Sequence, residues 1–263
     1  MDVINGGITA PKGFLAAGVA CGLKKNGKKD LALISSTCPA AVAGVFTTNV
    51  VKGHSLQVTM EHIKNGYANA IVINSGNANA CVGEQGYKDA KEIASITANL
   101  LECKSENVLV GSTGVIGIQL DMTAIRSGIK NAVKNLNSNG SSDAVTAIMT
   151  TDTKPKEIAV ETEIQGKNIR IGGIAKGSGM IHPNMATMIG IITTDAKISP
   201  NLLDKAVKEV IKKTFNRVSV DGDTSVCDMV IIFANGQKGN PGLVDEDYEY
   251  HKFKDALLYV CTY

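Results

Sequence analysis

Ile158-Ala159-Val160-Glu161-Thr162-Glu163-Ile164, then Gln165-Gly166-Lys167-Asn168, then Ile169-Arg170-Ile171-Gly172-Gly173-Ile174 is the stretch that decides the fold. Ile158, Val160, Thr162 and Ile164 recur at every second position, the period of a strand with one buried face. The Gly-containing connection between two such runs predicts a β-hairpin. Further short runs rich in Val and Ile read as strands at Leu31–Ile34, Ala70–Ile73, Val108–Val110, Met188–Thr193 and Met229–Ala234.

Between them lie helical patterns. Tyr87–Cys103 places Ala90, Ile93, Ala94, Ile96, Ala98 and Leu101 near helical spacing, and Met122–Val133 reads as another helix. Ser199 caps a third, with Pro200 in its first turn and Leu203, Ala206, Val210 and Ile211 on one face. Ser142 is the expected cap of a short helix reaching Met149, and Asn135–Ser142 is the expected loop before it. Glu249–Tyr263 carries Phe253, Leu257, Val260 and Cys261 at helical spacing and has no capping Gly or Asn, which predicts a chain that continues. Strands and helices mix without regular β-α-β alternation. The expected class is α/β, a layered sandwich of mixed β-sheets flanked by helices, rather than a Rossmann sheet.

Composition narrows the function. The 263 residues are 44% hydrophobic and 20% charged, with a formal charge of +2. That balance offers no electrostatic footprint for nucleic acid or an anionic membrane, so small-molecule substrates are expected. No apolar run reaches the roughly 18 residues that span a bilayer, and the N-terminus lacks signal-peptide regions, so a cytoplasmic location is expected. The six cysteines are scattered, without C-x-x-C pairs, and read as small buried residues of a reducing compartment. The four histidines are too dispersed for zinc, and Asp221-Gly222-Asp223 with Asp228 lacks the ligand ladder of a calcium loop, so no metal is expected.

The chemistry concentrates in Ala175-Lys176-Gly177-Ser178-Gly179-Met180-Ile181-His182-Pro183-Asn184-Met185-Ala186-Thr187-Met188-Ile189. Lys, Ser, His, Asn and Thr follow one another here within a dozen positions, just ahead of a strand. The glycines do not have the spacing of a phosphate-binding loop. A surface loop entering a buried strand is the plain alternative. Gly111-Ser112-Thr113-Gly114-Val115-Ile116-Gly117 reads alone as turn chemistry. Asn74-Ser75-Gly76-Asn77-Ala78-Asn79-Ala80 reads as either a pocket wall or a self-bonded Asx loop.

Taken together and in order, these segments resemble the glutamate N-acetyltransferase, or ornithine acetyltransferase, family, the bifunctional enzymes of arginine biosynthesis. Asn216-Arg217 and Val220-Asp221-Gly222-Asp223-Thr224-Ser225 extend the likeness. The resemblance implies an N-terminal-nucleophile-type, self-processing acetyltransferase that moves an acetyl group from N2-acetylornithine to glutamate. It implies autoproteolysis between Ala186 and Thr187, giving an α fragment, 1–186, and a β fragment, 187–263, that continues beyond Tyr263. Thr187 is then the nucleophile, and its freed amine takes the hydroxyl proton. Thr113 and Gly114 are the implied oxyanion stabilisers, and Thr150, Lys176 and Thr187 the implied substrate-binding residues. No cofactor is implied; acetyl-CoA is a substrate of some relatives, a point this sequence leaves open. The fragments are expected to assemble as a heterotetramer or larger. An N-terminal-nucleophile amidase or aminopeptidase, and an inactive fragment, are the rival readings.

Overall fold

The computed structural model describes residues 1–179, 188–221 and 224–263. Among the described residues the strands are β1 (Asp2–Ile4), β2 (Phe14–Val19), β3 (Leu31–Phe46), β4 (Tyr67–Asn77), β5 (Val108–Val115), β6 (Lys156–Ile164), β7 (Lys167–Lys176), β8 (Ile189–Thr194) and β9 (Met229–Ala234). Its helices are α1 (His54–His62), α2 (Glu84–Leu100), α3 (Met122–Lys134), α4 (Ser141–Ile148), α5 (Pro200–Lys213) and α6 (Tyr248–Thr262).

The strands join in one mixed sheet of order β1-β6-β7-β8-β9-β3-β4-β5, with β2 also paired to β3. The sixteen-residue β3 is the spine. Its first half pairs with β2 and β4, its second half mainly with β9, and the register breaks between Ser35 and Ala40. Pro39, which cannot donate to a ladder, sits in that break. The expected separate sheets are thus two halves of one sheet continuous through β3.

Alternation along the strands explains the layers. Ala32 and Ile34 of β3, Ile71 and Ile73 of β4 and Leu109 of β5 pack in one buried cluster with Ile174, Ile189, Ile191, Met229, Ile231 and Phe233 of the other half. The residues between them face outward. Leu31, Leu33, Ala70, Val72, Val108 and Val110 meet Ile93, Ala94 and Ile129 of α2 and α3. Val160, Ile171, Ile192, Val230 and Ile232 meet Leu203, Val207, Phe253 and Leu257 of α5 and α6. The result is helices, half-sheet, half-sheet, helices. Burying each such Ile or Leu contributes about 1.5–3 kcal/mol.

Two pairs, β4–β5 and β8–β9, are parallel. Each is crossed by one helix, α2 or α5, so two β-α-β units occur within a sheet that lacks regular β-α-β alternation, as the sequence patterns predict. The hairpin β6–β7 is tighter than expected: Ile164 pairs with Lys167, and Gln165 and Gly166 turn the chain at φ 51° and 72°. Positive φ at both positions is the twist-matched two-residue turn. The cap of α4 is also shifted. Its N-cap is Gly140, not Ser142, while Ser141 Oγ accepts from the Ile8 N–H and donates to Glu157.

Helix α1 has no strong apolar stripe, and its place is explained by the sheet edge. Thr59 Oγ1 both donates to the Val110 carbonyl and accepts from the Val110 N–H, each at 2.7 Å. His62 Nδ1 bonds the Val108 carbonyl at 2.8 Å. These bonds satisfy outward groups of edge strand β5, which an uncovered edge would leave open to another chain.

Candidate active site

Four of the residues singled out in the sequence line one cleft of about 1000 Å³: Thr113, Gly114, Thr150 and Lys176. They come from three elements separated widely in sequence. Thr113 and Gly114 lie near the end of β5 rather than in a turn, paired with Ser75 and Gly76 of β4. Lys176 is the last residue of β7. Thr150 is neither helix nor strand edge; it follows α4 in the connection leading to β6. Ala186 and Thr187 lie outside the described residues, as does His182. Ile189, two positions after Thr187, is the ladder partner of Lys176 across β7 and β8.

Gly114 is required where it stands. Its φ is 127°, and a Cβ there would lie 2.3 Å from the Gly76 carbonyl oxygen. No side chain fits that space, so the ends of β4 and β5 approach closely only with glycine.

The Lys176 side chain is buried, 3% exposed, and its Nζ donates to Thr113 Oγ1 at 3.1 Å. Burial draws the ammonium below its ordinary value, and the nearby carboxylates of Asp152 and Asp228 oppose that shift. A hydroxyl that accepts from an ammonium keeps its own proton to donate. The arrangement therefore offers a cation for an anionic group beside a polarised O–H donor. Cys227 shares the cleft, but burial pushes its thiol up to about 12, so it stays protonated and is a poor nucleophile.

Two further residues shape the wall. Lys24 Nζ donates to the carbonyls of Lys29 (2.9 Å), Ala147 (3.3 Å) and Met149 (2.7 Å), fixing the end of α4 next to Thr150. Asp152 Oδ2 accepts from the Thr150 N–H at 3.3 Å and its Oδ1 accepts from the Gly177 N–H at 2.8 Å. In sequence, Lys24 looks like one of a solvated run and Asp152 like a turn residue. The Thr150 N–H lies two residues before Asp152, the reverse of an Asx turn, so no local sequence signal marks the pair.

The Asn74–Ala80 run is a self- and neighbour-bonded scaffold. Asn74 Nδ2 donates to the Asn77 carbonyl at 2.8 Å and Asn79 Nδ2 to the Gly86 carbonyl at 2.7 Å. Gly222 and Asp223 lie outside the described residues. No helix among the described residues is long and apolar enough to cross a membrane.

The fold has a solved counterpart. An L-aminopeptidase D-Ala-esterase/amidase from Ochrobactrum anthropi, described as a variant among the Ntn hydrolase fold, superposes with a TM-score of 0.59. That match covers 98% of this chain and 82% of that one at 13% identity, a likeness of fold alone. The ArgJ family profile matches residues 15–263, and the chain belongs to the ArgJ family. It is 49% identical over 262 residues to the arginine biosynthesis bifunctional protein ArgJ of Symbiobacterium thermophilum, covering 99% of this chain and 65% of that protein. The ArgJ of Caldanaerobacter subterraneus is 50% identical over 260 residues, covering 99% and 64%. The chain thus spans somewhat under two thirds of the length of these curated relatives. A solved structure of ornithine acetyltransferase from Mycobacterium tuberculosis, complexed with ornithine, is 40% identical with a TM-score of 0.66. It covers 69% of this chain and 97% of that one.

Proposed function

We propose that this chain forms the acetyl-transfer site of an arginine-biosynthesis acetyltransferase, passing an acetyl group from N2-acetylornithine to glutamate. The observation that carries the reading is the cleft in which the buried Lys176 ammonium meets the Thr113 hydroxyl, with Gly114 and Thr150 lining the same cleft. Family membership supports it.

In this reading the backbone opens between Ala186 and Thr187, and the freed Thr187 amine accepts the proton of its own hydroxyl. The hydroxyl oxygen attacks the acetyl carbonyl, whose developing negative charge is met by the Thr113 hydroxyl and the Gly114 N–H. The carbon–nitrogen bond breaks as the Thr187 ammonium returns its proton to the departing nitrogen, and ornithine leaves as the free amine. The glutamate amine then attacks the Thr187 ester, releasing N-acetylglutamate and restoring the hydroxyl. Lys176 holds an α-carboxylate as a charged donor, and Thr150 supplies a hydroxyl beside it. The cycle needs no cofactor, and acetyl-CoA would enter as an alternative acetyl donor at the same hydroxyl.

Cleavage yields an α fragment of 1–186 and a β fragment starting at 187. The sheet gives a reason for them to stay together: β8 lies between β7 and β9, and β9 pairs with β3. Cutting the connection before β8 leaves those ladders intact. A heterotetrameric or larger assembly in the cytoplasm is the proposed working form.

Acetyl-labelled acetylornithine and unlabelled glutamate, followed by NMR, test the reading. Label in N-acetylglutamate is expected. Label appearing only as free acetate would assign the site to hydrolysis. No turnover by this chain, nor by the chain extended to the relatives' length, would reject the reading.

A further inference from the structure

Asp152 stands behind the cleft, bonded to the amides of Thr150 and Gly177. Its side chain is fully buried, although it belongs to a polar connection between α4 and β6. Besides the Thr150 and Gly177 amides, its Oδ1 accepts from Lys156 Nζ at 2.7 Å. Lys156 Nζ also donates to the Gly177 carbonyl at 3.1 Å. Both backbone polar groups of Gly177 are therefore held by the Asp152–Lys156 pair, directly after Lys176. A buried carboxylate is retained only where hydrogen bonds and opposite charge compensate its desolvation. Here two amide donors and one ammonium do so.

We propose that Asp152 is the positioning residue of Lys176: a counter-charge latched to Gly177 that holds the ammonium charged and facing the Thr113 hydroxyl. The acetyl-transfer reading enters only in naming the ligand that Lys176 would meet. Among the described residues, Lys176 is under the influence of Asp152, Asp228, Cys227, Lys156 and Lys24. Asp152 and Asp228 favour its ammonium, whereas Lys156 opposes it. Asp152 thus divides its charge between two lysines, and the two substitutions Asp152→Asn and Lys156→Met should act in opposite directions.

The test is the titration of Lys176 in this chain, read from the ¹³C resonance of its side-chain Cε and assigned by its loss in Lys176→Arg. Asp152→Asn, which preserves shape and an acceptor for Gly177, should lower the midpoint by about one pH unit or more. Lys156→Met, at a side chain 44% exposed and so tolerant of change, should raise it. An unchanged midpoint in folded Asp152→Asn overturns the proposal, as does a downward shift in Lys156→Met. Should Asp152→Asn not fold, Lys156→Met decides alone: a rise supports the proposal and no rise overturns it. Absence of acetyl transfer leaves these titrations unaffected and counts against the proposed activity only.

Discussion

Lys176 donates to the Thr113 hydroxyl across 3.1 Å, joining the ends of β7 and β5, strands of opposite halves of the folded sheet. The bond polarises the hydroxyl that the proposed mechanism sets against the oxyanion. Thr113→Val keeps the shape and removes the hydroxyl, so kcat for acetyl transfer should fall about 10²–10³-fold. Thr113→Ser should retain most of the rate. Steady-state kinetics of both variants check this, and equal losses in the two would remove the hydroxyl from the chemistry.

Binding of N-acetylglutamate should depend on pH through Lys176. Burial lowers this ammonium from its ordinary 10.5. Anion binding is then full while Lys176 is protonated and is lost as pH rises through the lowered value, before 10.5 is reached. The ligand has no amine of its own to titrate. Calorimetry from neutral to alkaline pH should show this loss in the native chain, whereas Lys176→Arg stays flat over the same range.

Gly114→Ala should cost about 1–3 kcal/mol of stability, since its Cβ would press on the Gly76 carbonyl at 2.3 Å. The same displacement moves the Gly114 N–H, so activity should fall with stability. Thermal unfolding and turnover measured together test it. A variant of native stability and rate would show that this approach of β4 and β5 is not needed.

Phe233 is 2% exposed in the layer between the half-sheets, and Phe233→Ala should destabilise by about 3–5 kcal/mol. Val50 is 94% exposed, so Val50→Ala should stay within about 0.5 kcal/mol of the parent. Urea titrations compare the two. Similar values would contradict the layered core.

The strands were legible where period-two alternation meets a buried face, as along Ile158–Ile164, or where a short Val- and Ile-rich run is buried throughout, as at Ala70–Ile73 and Met229–Ala234. Helix α5 was legible because Ser199 and Pro200 announce its start; the Ser199 side chain accepts from the Leu202 N–H. Helix α1 was not, since its polar residues Thr59 and His62 serve the edge of β5 instead of forming an apolar stripe. The long β3 was read only at Leu31–Ile34, because Ser35 to Pro39 interrupts the pattern at the irregular register. At the cleft, Thr113, Gly114, Thr150 and Lys176 were nominated by family resemblance; their residue types alone suggested turns and solvated charge. Asp152 and Lys24 were missed because their burial depends on partners far along the chain, Gly177 for the one and Met149 for the other.

The most direct measurement is intact-mass and tandem mass spectrometry of the chain, extended to the relatives' length, after brief exposure to N2-acetylornithine without glutamate. The account predicts two pieces, the second beginning at Thr187 and one acetyl group heavier on that residue, with added glutamate removing the acetyl group. An unbroken chain that still converts acetylornithine and glutamate to products, or an acetyl group on any other residue, would contradict it.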